Sequence, residues 1–320
     1  MGTETEVDRR PLDAVELRRR LITADGLWRD VRVVPQTGST NADLLEEARA
    51  GAAEGLVLVA EEQTAGRGRL GRAWSAPPRA ALVFSALLRL SDVPPGRRGW
   101  LPLLTGVAVA SAVREQTAVP ASLKWPNDVL VADRKLAGIL AEAYGDAVVV
   151  GIGLNVTLSQ PELPVPTATS LLIEDAASTD RTALLVAILT ELARRFQAWR
   201  ADPDGADLRA DYLRWCATIG RPVRVELPGG AVLTGTAQDV DDAGRLLLRT
   251  ADGPVPVGAG DVVHVRWFPG RTAGRRAAAL RRQVSLRSWM GCRYAATSSA
   301  TAGWPRSSWT DLPYLTPSIR

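Results

Sequence analysis

Histidine and cysteine are almost missing from this chain. Its 320 residues include one His, His264, and two Cys, Cys216 and Cys292. That excludes a Cys/His metal cage and a disulfide framework, and a reducing cytoplasm is the expected compartment. Long apolar runs are missing too. Nothing approaches ~18 consecutive apolar residues, so no membrane span is expected. The N-terminus carries Asp8, Arg9, Arg10 and Asp13, without the apolar core of a signal peptide. Residues 1–29 read as a polar lead and one helix, Leu12–Thr23, too little for a helix-turn-helix domain. Net charge is only +4, from 39 Lys+Arg against 35 Asp+Glu. The Arg residues crowd at Arg67–Arg72 and beyond Arg271. Such clusters attract phosphates without demanding a nucleic-acid partner.

What is present fits a globular α+β protein. Hydrophobic residues make up 46% of the chain, enough to bury a full core, and the length points to two domains with an extra tail. Arg32–Pro35, Gly55–Glu62 and the apolar run Ala81–Leu90 read as strands. Asn41–Ala50 reads as a helix capped by Ser39 or Thr40. Apolar residues three and four apart make Trp100–Thr117 a helix. Ser122–Trp125, Val129–Ala132, Ile139–Tyr144 and Ala147–Leu154 read as short strands whose tight connections favour antiparallel pairing. Thr182–Arg200 and Asp207–Cys216 are amphipathic helices. After Thr218 the composition changes. Pro222–Glu226, Val232–Asp239, Arg245–Thr250 and Val262–Arg266 are short strands separated by Gly turns, the pattern of a small β-barrel. Residues 269–320 lose apolar periodicity and read as a poorly ordered tail, with a composition that a shifted reading frame would also give. The expected division is 1–29 lead and helix, 30–218 main domain, 219–268 barrel and 269–320 tail.

Five segments carry candidate chemistry. Gly66-Arg-Gly-Arg-Leu-Gly71 fits GxGxxG formally. A dinucleotide fingerprint needs a helix directly after it, and here Trp74-Ser-Ala-Pro-Pro78 and a strand follow. What remains is a loop in which Arg67, Arg69 and Arg72 can flank a phosphate or carboxylate, while glycines let backbone N–H groups approach a ligand. Taken alone, it is equally a solvated basic turn. Thr37-Gly-Ser-Thr-Asn41 offers small hydrogen-bonding side chains, and alone it is an N-cap. Lys124-Trp-Pro-Asn-Asp128 is either a turn or an Asn-Asp pair suited to Mg²⁺ held with phosphate oxygens. In Lys135-Leu-Ala-Gly-Ile-Leu140 a lysine precedes an apolar strand, and Gly138 permits close ligand approach. Gly151-Ile-Gly-Leu-Asn155 closes a strand with glycines and an amide.

The order of these five segments resembles the biotin–protein ligase family. The resemblance spans about residues 33–266, and the Gly/Arg loop and Lys124-Trp-Pro-Asn-Asp128 are its most specific parts. It implies a mixed sheet with helices, like that of class II aminoacyl-tRNA synthetases, plus a C-terminal SH3-like β-barrel. It implies ATP-dependent activation of biotin to biotinyl-5′-AMP and transfer to a lysine of a biotin carboxyl carrier domain of acyl-CoA carboxylases. Ser39, Thr40, Asn41 and Gln63 would line the biotin pocket, with Gly138 beside it. Arg67, Gly68 and Arg69 would belong to the loop that orders over the adenylate. Lys135 would touch both the biotin carboxylate and the α-phosphate, making Lys135 and Arg69 the catalytic pair. Arg72, Trp74, Lys124, Asn127 and Asn155 would face ATP, with Asp128 near Mg²⁺. Members are monomers or dimers, so a homodimer is compatible with the resemblance. Leu70 departs from relatives that are often basic or polar there. Sequence-specific DNA binding is not expected, because the long N-terminal domain of repressor-type members has no counterpart. Two other readings stand beside this one. They are a lipoate ligase or octanoyltransferase of the same fold, and a biotin-sensing DNA-binding regulator. His264, in the barrel, reads as structural.

Overall fold

A computed structural model describes residues 9–202, 205–265 and the strand 315–317. Two sheets form the molecule. The larger is mixed. β1 (Asp30–Val34) pairs in parallel with β2 (Leu56–Ala60). The rest of its main path is antiparallel: β3 (Ala81–Arg89), β7 (Ala147–Asn155), β6 (Arg134–Tyr144), β5 (Asp128–Val131) and β4 (Ser122–Lys124), in the order β1-β2-β3-β7-β6-β5-β4. The short connections between β4 and β7 do produce antiparallel neighbours, as the sequence implied.

Strand side chains alternate between faces, and the two faces of this sheet have different fates. Leu82, Phe84, Ala86 and Leu88 of β3 enter the main core, together with α3 (Trp100–Thr117) and α4 (Arg181–Ala201). α3 is apolar on all sides because it lies between the sheet and α4. The opposite face is covered only in part. α2 (Thr40–Arg49) packs Leu44, Leu45 and Ala48 on Leu58, Leu87 and Val149. Beyond α2, this face carries Gly138, Leu140, Gly151 and Gly153, which line a cavity.

The sequence placed the helices closely. α3 has the expected bounds, and α1 (Ala14–Leu21) and α5 (Ala206–Trp215) lie within or beside theirs. Asp13 and Asp180 cap α1 and α4, and Ser39 caps α2. β6 begins at Arg134, five residues before the expected strand at Ile139, so Lys135 and Gly138 are strand residues.

The second sheet is antiparallel and five-stranded. It runs β11 (Gly253–Val257), β10 (Leu246–Thr250), β9 (Val232–Val240), β8 (Pro222–Glu226) and β12 (Asp261–His264). β11 was not legible in the sequence. Pro254 and Pro256 argue against a strand, yet β11 is the last strand in the sheet order, where missing N–H donors are tolerated. Two tryptophans tie the second sheet to the rest of the molecule. Trp125 is fully buried and donates Nε1–H to Gly244 O at 3.1 Å. Trp100 donates to Asp242 O at 3.0 Å. Most of the expected tail lies outside the described residues. Within it, β13 (Leu315–Pro317) pairs in parallel with Ala141–Ala143 of β6.

Candidate active site

Where α2 stops covering the sheet, a cavity of about 550 Å³ opens. Each residue given a site role from the sequence lines it: Ser39, Thr40, Asn41, Gln63, Arg67, Gly68, Arg69, Arg72, Trp74, Lys124, Asn127, Asp128, Lys135, Gly138 and Asn155. Segments far apart in sequence meet because β6 and β7 are neighbours and the start of α2 lies against them.

One end of the cavity is polar and rich in hydroxyl and amide groups. Thr40 N–H donates to Gln63 Oε1 at 2.8 Å, and Thr40 Oγ1 lies 3.0 Å from the same oxygen. Thr40 Oγ1 also lies 2.7 Å from Ser85 Oγ, which donates to Asn41 Oδ1 at 2.6 Å. Asn41 Nδ2 donates to Glu142 Oε2 at 2.8 Å. Thr40, Asn41, Ser85 and Glu142 are all buried. Gly151 is needed here, since a Cβ on it would come within 2.2 Å of Asn41 Oδ1.

The other end is cationic. Lys135 Nζ sits 2.5 Å from Asp128 Oδ1, and Lys124 Nζ is 3.7 Å from Asp128 Oδ2. One carboxylate therefore holds two ammonium groups at the edge of the sheet. Arg69 donates to Asn127 Oδ1 at 2.9 Å, and Asn127 Nδ2 donates to Ile139 O at 3.0 Å. Asn155 donates Nδ2–H to Thr169 O at 2.9 Å, tying the end of β7 to the segment after it.

The Gly/Arg loop folds back on itself. Trp74 N–H donates to Gly66 O at 2.9 Å and Gly68 N–H to Arg72 O at 2.6 Å. Gly66 is required at its base, because a Cβ there would meet Trp74 O at 2.4 Å. Leu70 tops the turn, exposed and left-handed at φ 57°. The loop also reaches the second sheet: Arg72 pairs with Asp261 at 3.1 Å, and Arg69 donates to Gly260 O at 3.4 Å. The space left by Gly138 is taken up within the protein. A Cβ there would lie 3.1 Å from Lys135 Nζ and 3.3 Å from the Trp74 ring, and one on Gly153 only 2.3 Å from that ring. The sequence expected Gly138 to admit a ligand. In the structure the glycines give a flat surface on which Trp74 lies.

His264 sits at the junction of the sheets, on the cavity's edge. Its Nε2 is 3.1 Å from Thr218 Oγ1 and its Nδ1 is 3.3 Å from Arg221 Nη1. Burial, with Lys124 and Arg221 nearby, pushes its pKa down to about 4, so the ring is neutral at pH 7. No group of three or more His, Cys, Asp or Glu side chains is arranged to hold a metal ion among the described residues. Ser85 and Glu142 were missed by the sequence reading. Their signal was a polar residue inside an apolar stretch, Leu82–Leu88 for Ser85 and Leu136–Ala143 for Glu142.

A mixed sheet that carries a glycine–arginine loop over a pocket with one amide-rich and one cationic end defines the class of acid-activating biotin/lipoate ligases. Residues 33–158 match the biotin/lipoate A/B protein ligase family, and residues 218–265 match the biotin protein ligase C-terminal domain. The biotin--[acetyl-CoA-carboxylase] ligase of Mycobacterium tuberculosis is 51% identical over 269 residues, covering 82% of this chain and all of that protein. The bifunctional ligase/repressor BirA of Escherichia coli is 34% identical, over 80% of this chain and 79% of its own. The biotin protein ligase of Aquifex aeolicus, solved with biotin and ATP, superposes with a TM-score of 0.65 at 30% identity, over 75% of this chain and all of that one. The chain belongs to the biotin protein ligase family.

Proposed function

We propose that this protein joins biotin to ATP, giving biotinyl-5′-AMP and pyrophosphate. It then transfers the biotinyl group to a lysine of the biotin carboxyl carrier domain of an acyl-CoA carboxylase. The observation that carries this reading is the two-ended cavity. Its amide-rich end suits a cyclic urea, Ile139, Leu140 and Ile152 line it with apolar surface, and Lys135, Arg67 and Arg69 supply cations where a carboxylate would meet a phosphate.

A carboxylic acid does not acylate an amine at neutral pH, because its leaving group is poor. The biotin carboxylate therefore attacks the α-phosphorus of ATP, and the bond to pyrophosphate breaks. Two anions meet in that step, so preorganised positive charge is the natural catalyst. Lys135, held toward the cavity by Asp128, and Arg69, held by Asn127, take that role. Ser39, Thr40, Asn41 and Gln63 receive the ureido end. Arg72, Trp74, Lys124, Asn127 and Asn155 face the nucleotide. The carrier lysine then attacks the acyl carbonyl and AMP leaves. Closure of the 63–78 loop would keep water from the anhydride until then.

Asp128 fits Mg²⁺ bound mostly through phosphates and water, since such sites use one or two carboxylates. Its Oδ1 lies 2.5 Å from the Lys135 ammonium and has no regular hydrogen bond among the described residues. The ion would neutralise charge on the polyphosphate. The larger sheet, taken as residues 30–218, is read as the class II synthetase type. The smaller, 219–268, is read as an SH3-like barrel that braces the loop through Asp261 and Gly260. The ATP requirement suits a cytoplasmic enzyme.

Pyrophosphate release with ATP and Mg²⁺ tests the reading, with biotin, lipoate and octanoate in parallel. Release is expected with biotin alone. Release with lipoate or octanoate would transfer the assignment to that acid.

A further inference from the structure

Glu142 lies behind Asn41, a residue that lines the cavity, and nothing in the reaction itself requires a carboxylate there. It is 4% exposed, the only acidic side chain of β6 between Arg134 and Tyr144. Its Oε2 accepts from Asn41 Nδ2 at 2.8 Å, and its Oε1 lies 3.8 Å from Arg67 Nη2. Resting on the biotin reading above, we propose that Glu142 is a positioning residue that fixes the donor–acceptor polarity of the biotin pocket.

Proton bookkeeping carries the argument. An ionised carboxylate only accepts. Facing Glu142, the Asn41 amide must present Nδ2, and Leu140 O at 3.2 Å accepts from the same nitrogen. Asn41 Oδ1 then faces Ser85, so the single Ser85 proton points at it across 2.6 Å. Ser85 Oγ is left as an acceptor for Thr40 Oγ1 at 2.7 Å. Thr40 has one hydroxyl proton and two neighbouring oxygens. The 2.7 Å contact to Ser85 needs that proton more than the 3.0 Å contact to Gln63 Oε1 does. Thr40 Oγ1 and Gln63 Oε1 are thereby left side by side as acceptors, an arrangement that asks for an N–H donor from the ligand. A cyclic urea supplies one. The chain begins at the root of the Gly/Arg loop, at Gln63, and through Glu142 comes back to that loop at Arg67. One buried charge thus sets both the recognition end of the pocket and the loop beside it.

Glu142→Gln keeps the shape but lets the side-chain amide donate, so Asn41 can flip and the relay can reverse. Biotin affinity is expected to fall about 10- to 100-fold, the usual size of a lost buried hydrogen bond to a charged group. The KM for biotin rises to match, while the KM for ATP and the melting temperature without ligand stay at wild-type values. Glu142→Asp, which still only accepts, restores part of the loss. Ser85→Ala interrupts the same relay away from the charge. It is expected to weaken biotin alone, and to add little to Glu142→Gln in the double variant. Calorimetric titration of the full-length protein with biotin, and separately with ATP, reads all of this. Wild-type biotin affinity in Glu142→Gln, or equal losses for biotin and ATP, would overturn the proposal. If Glu142→Gln fails to fold, Ser85→Ala decides, and unchanged biotin affinity there overturns it as well. A wild-type protein that does not bind biotin would instead remove the functional reading beneath it.

Discussion

Lys135 is the residue on which the chemistry most depends. Asp128 holds its ammonium at 2.5 Å, and the ammonium lies over the Trp74 ring, 6.0 Å from its centroid. Lys135→Ala is expected to slow adenylation by at least ~100-fold, the usual cost of one preorganised charge contact. Single-turnover pyrophosphate release measures it, and a wild-type rate would remove Lys135 from the step. At this scale the sequence was informative wherever residues cluster. The glycines, arginines and amides stand together in short segments, and each of those segments contributes residues to the cavity. Ser85 and Glu142 each stand alone in an apolar stretch of strand, and their role comes from neighbours that only the fold supplies. Gly138 was read as room for a ligand. Gly138 does line the cavity, but the Trp74 and Lys135 side chains beside it could not be read locally, since Trp74 is 64 residues earlier in the chain.

Among the elements, the end of β2 and the start of α4 are tied by a buried ion pair from Glu61, the residue after β2. Arg181 Nη1 donates to Glu61 Oε2 at 2.7 Å, with both side chains under 10% exposed. Glu61 Oε1 accepts Leu12 N–H at 2.6 Å, so the lead before α1 joins the same knot. Glu61 immediately precedes the segment that carries Gln63, which makes the pair a foundation of the loop. Removing one partner of such a pair leaves the other charge buried. Arg181→Met should destabilise the fold by about 3–5 kcal/mol. Adding Glu61→Gln, which still accepts from Leu12, should recover most of it. Urea denaturation of the two variants checks this, and a loss below ~1 kcal/mol in Arg181→Met would contradict it. Element boundaries were legible where apolar spacing was regular, as in α3. They were not legible in β11, whose two prolines hide an edge strand, or at the start of β6, where Arg134 and Lys135 conceal the pairing with β5.

For the whole molecule, the junction between the two sheets carries both stability and function. Trp125 and Trp100 reach across it, and Arg72 and Arg69 fasten the loop to its far side. His264 lies in it, 11% exposed. Its folded pKa of about 4 is below the unfolded value of 6.5. The neutral ring is therefore the form the fold prefers. Its contribution is complete above pH 6.5 and is lost progressively as the pH falls toward 4, by about 3 kcal/mol in all. Melting temperature measured from pH 7 to 4.5 should fall more steeply for the wild type than for His264→Gln. Parallel curves would show that the histidine does not titrate in this way. That a C-terminal sheet follows Thr218 was readable from its Gly turns. That it contacts the Gly/Arg loop was not, since nothing in Gly260 or Asp261 marks them as loop partners.

The most direct test of the central claim is to capture the intermediate. The protein is incubated with biotin, ATP and Mg²⁺, separated from small molecules by gel filtration, and analysed by mass spectrometry. The enzyme fraction is then chased with a biotin carrier domain in the absence of ATP. Stoichiometric biotinyl-5′-AMP on the enzyme, discharged onto one carrier lysine, is the predicted result. Biotin recovered without adenylate, or an adenylate that no carrier lysine discharges, would contradict the account.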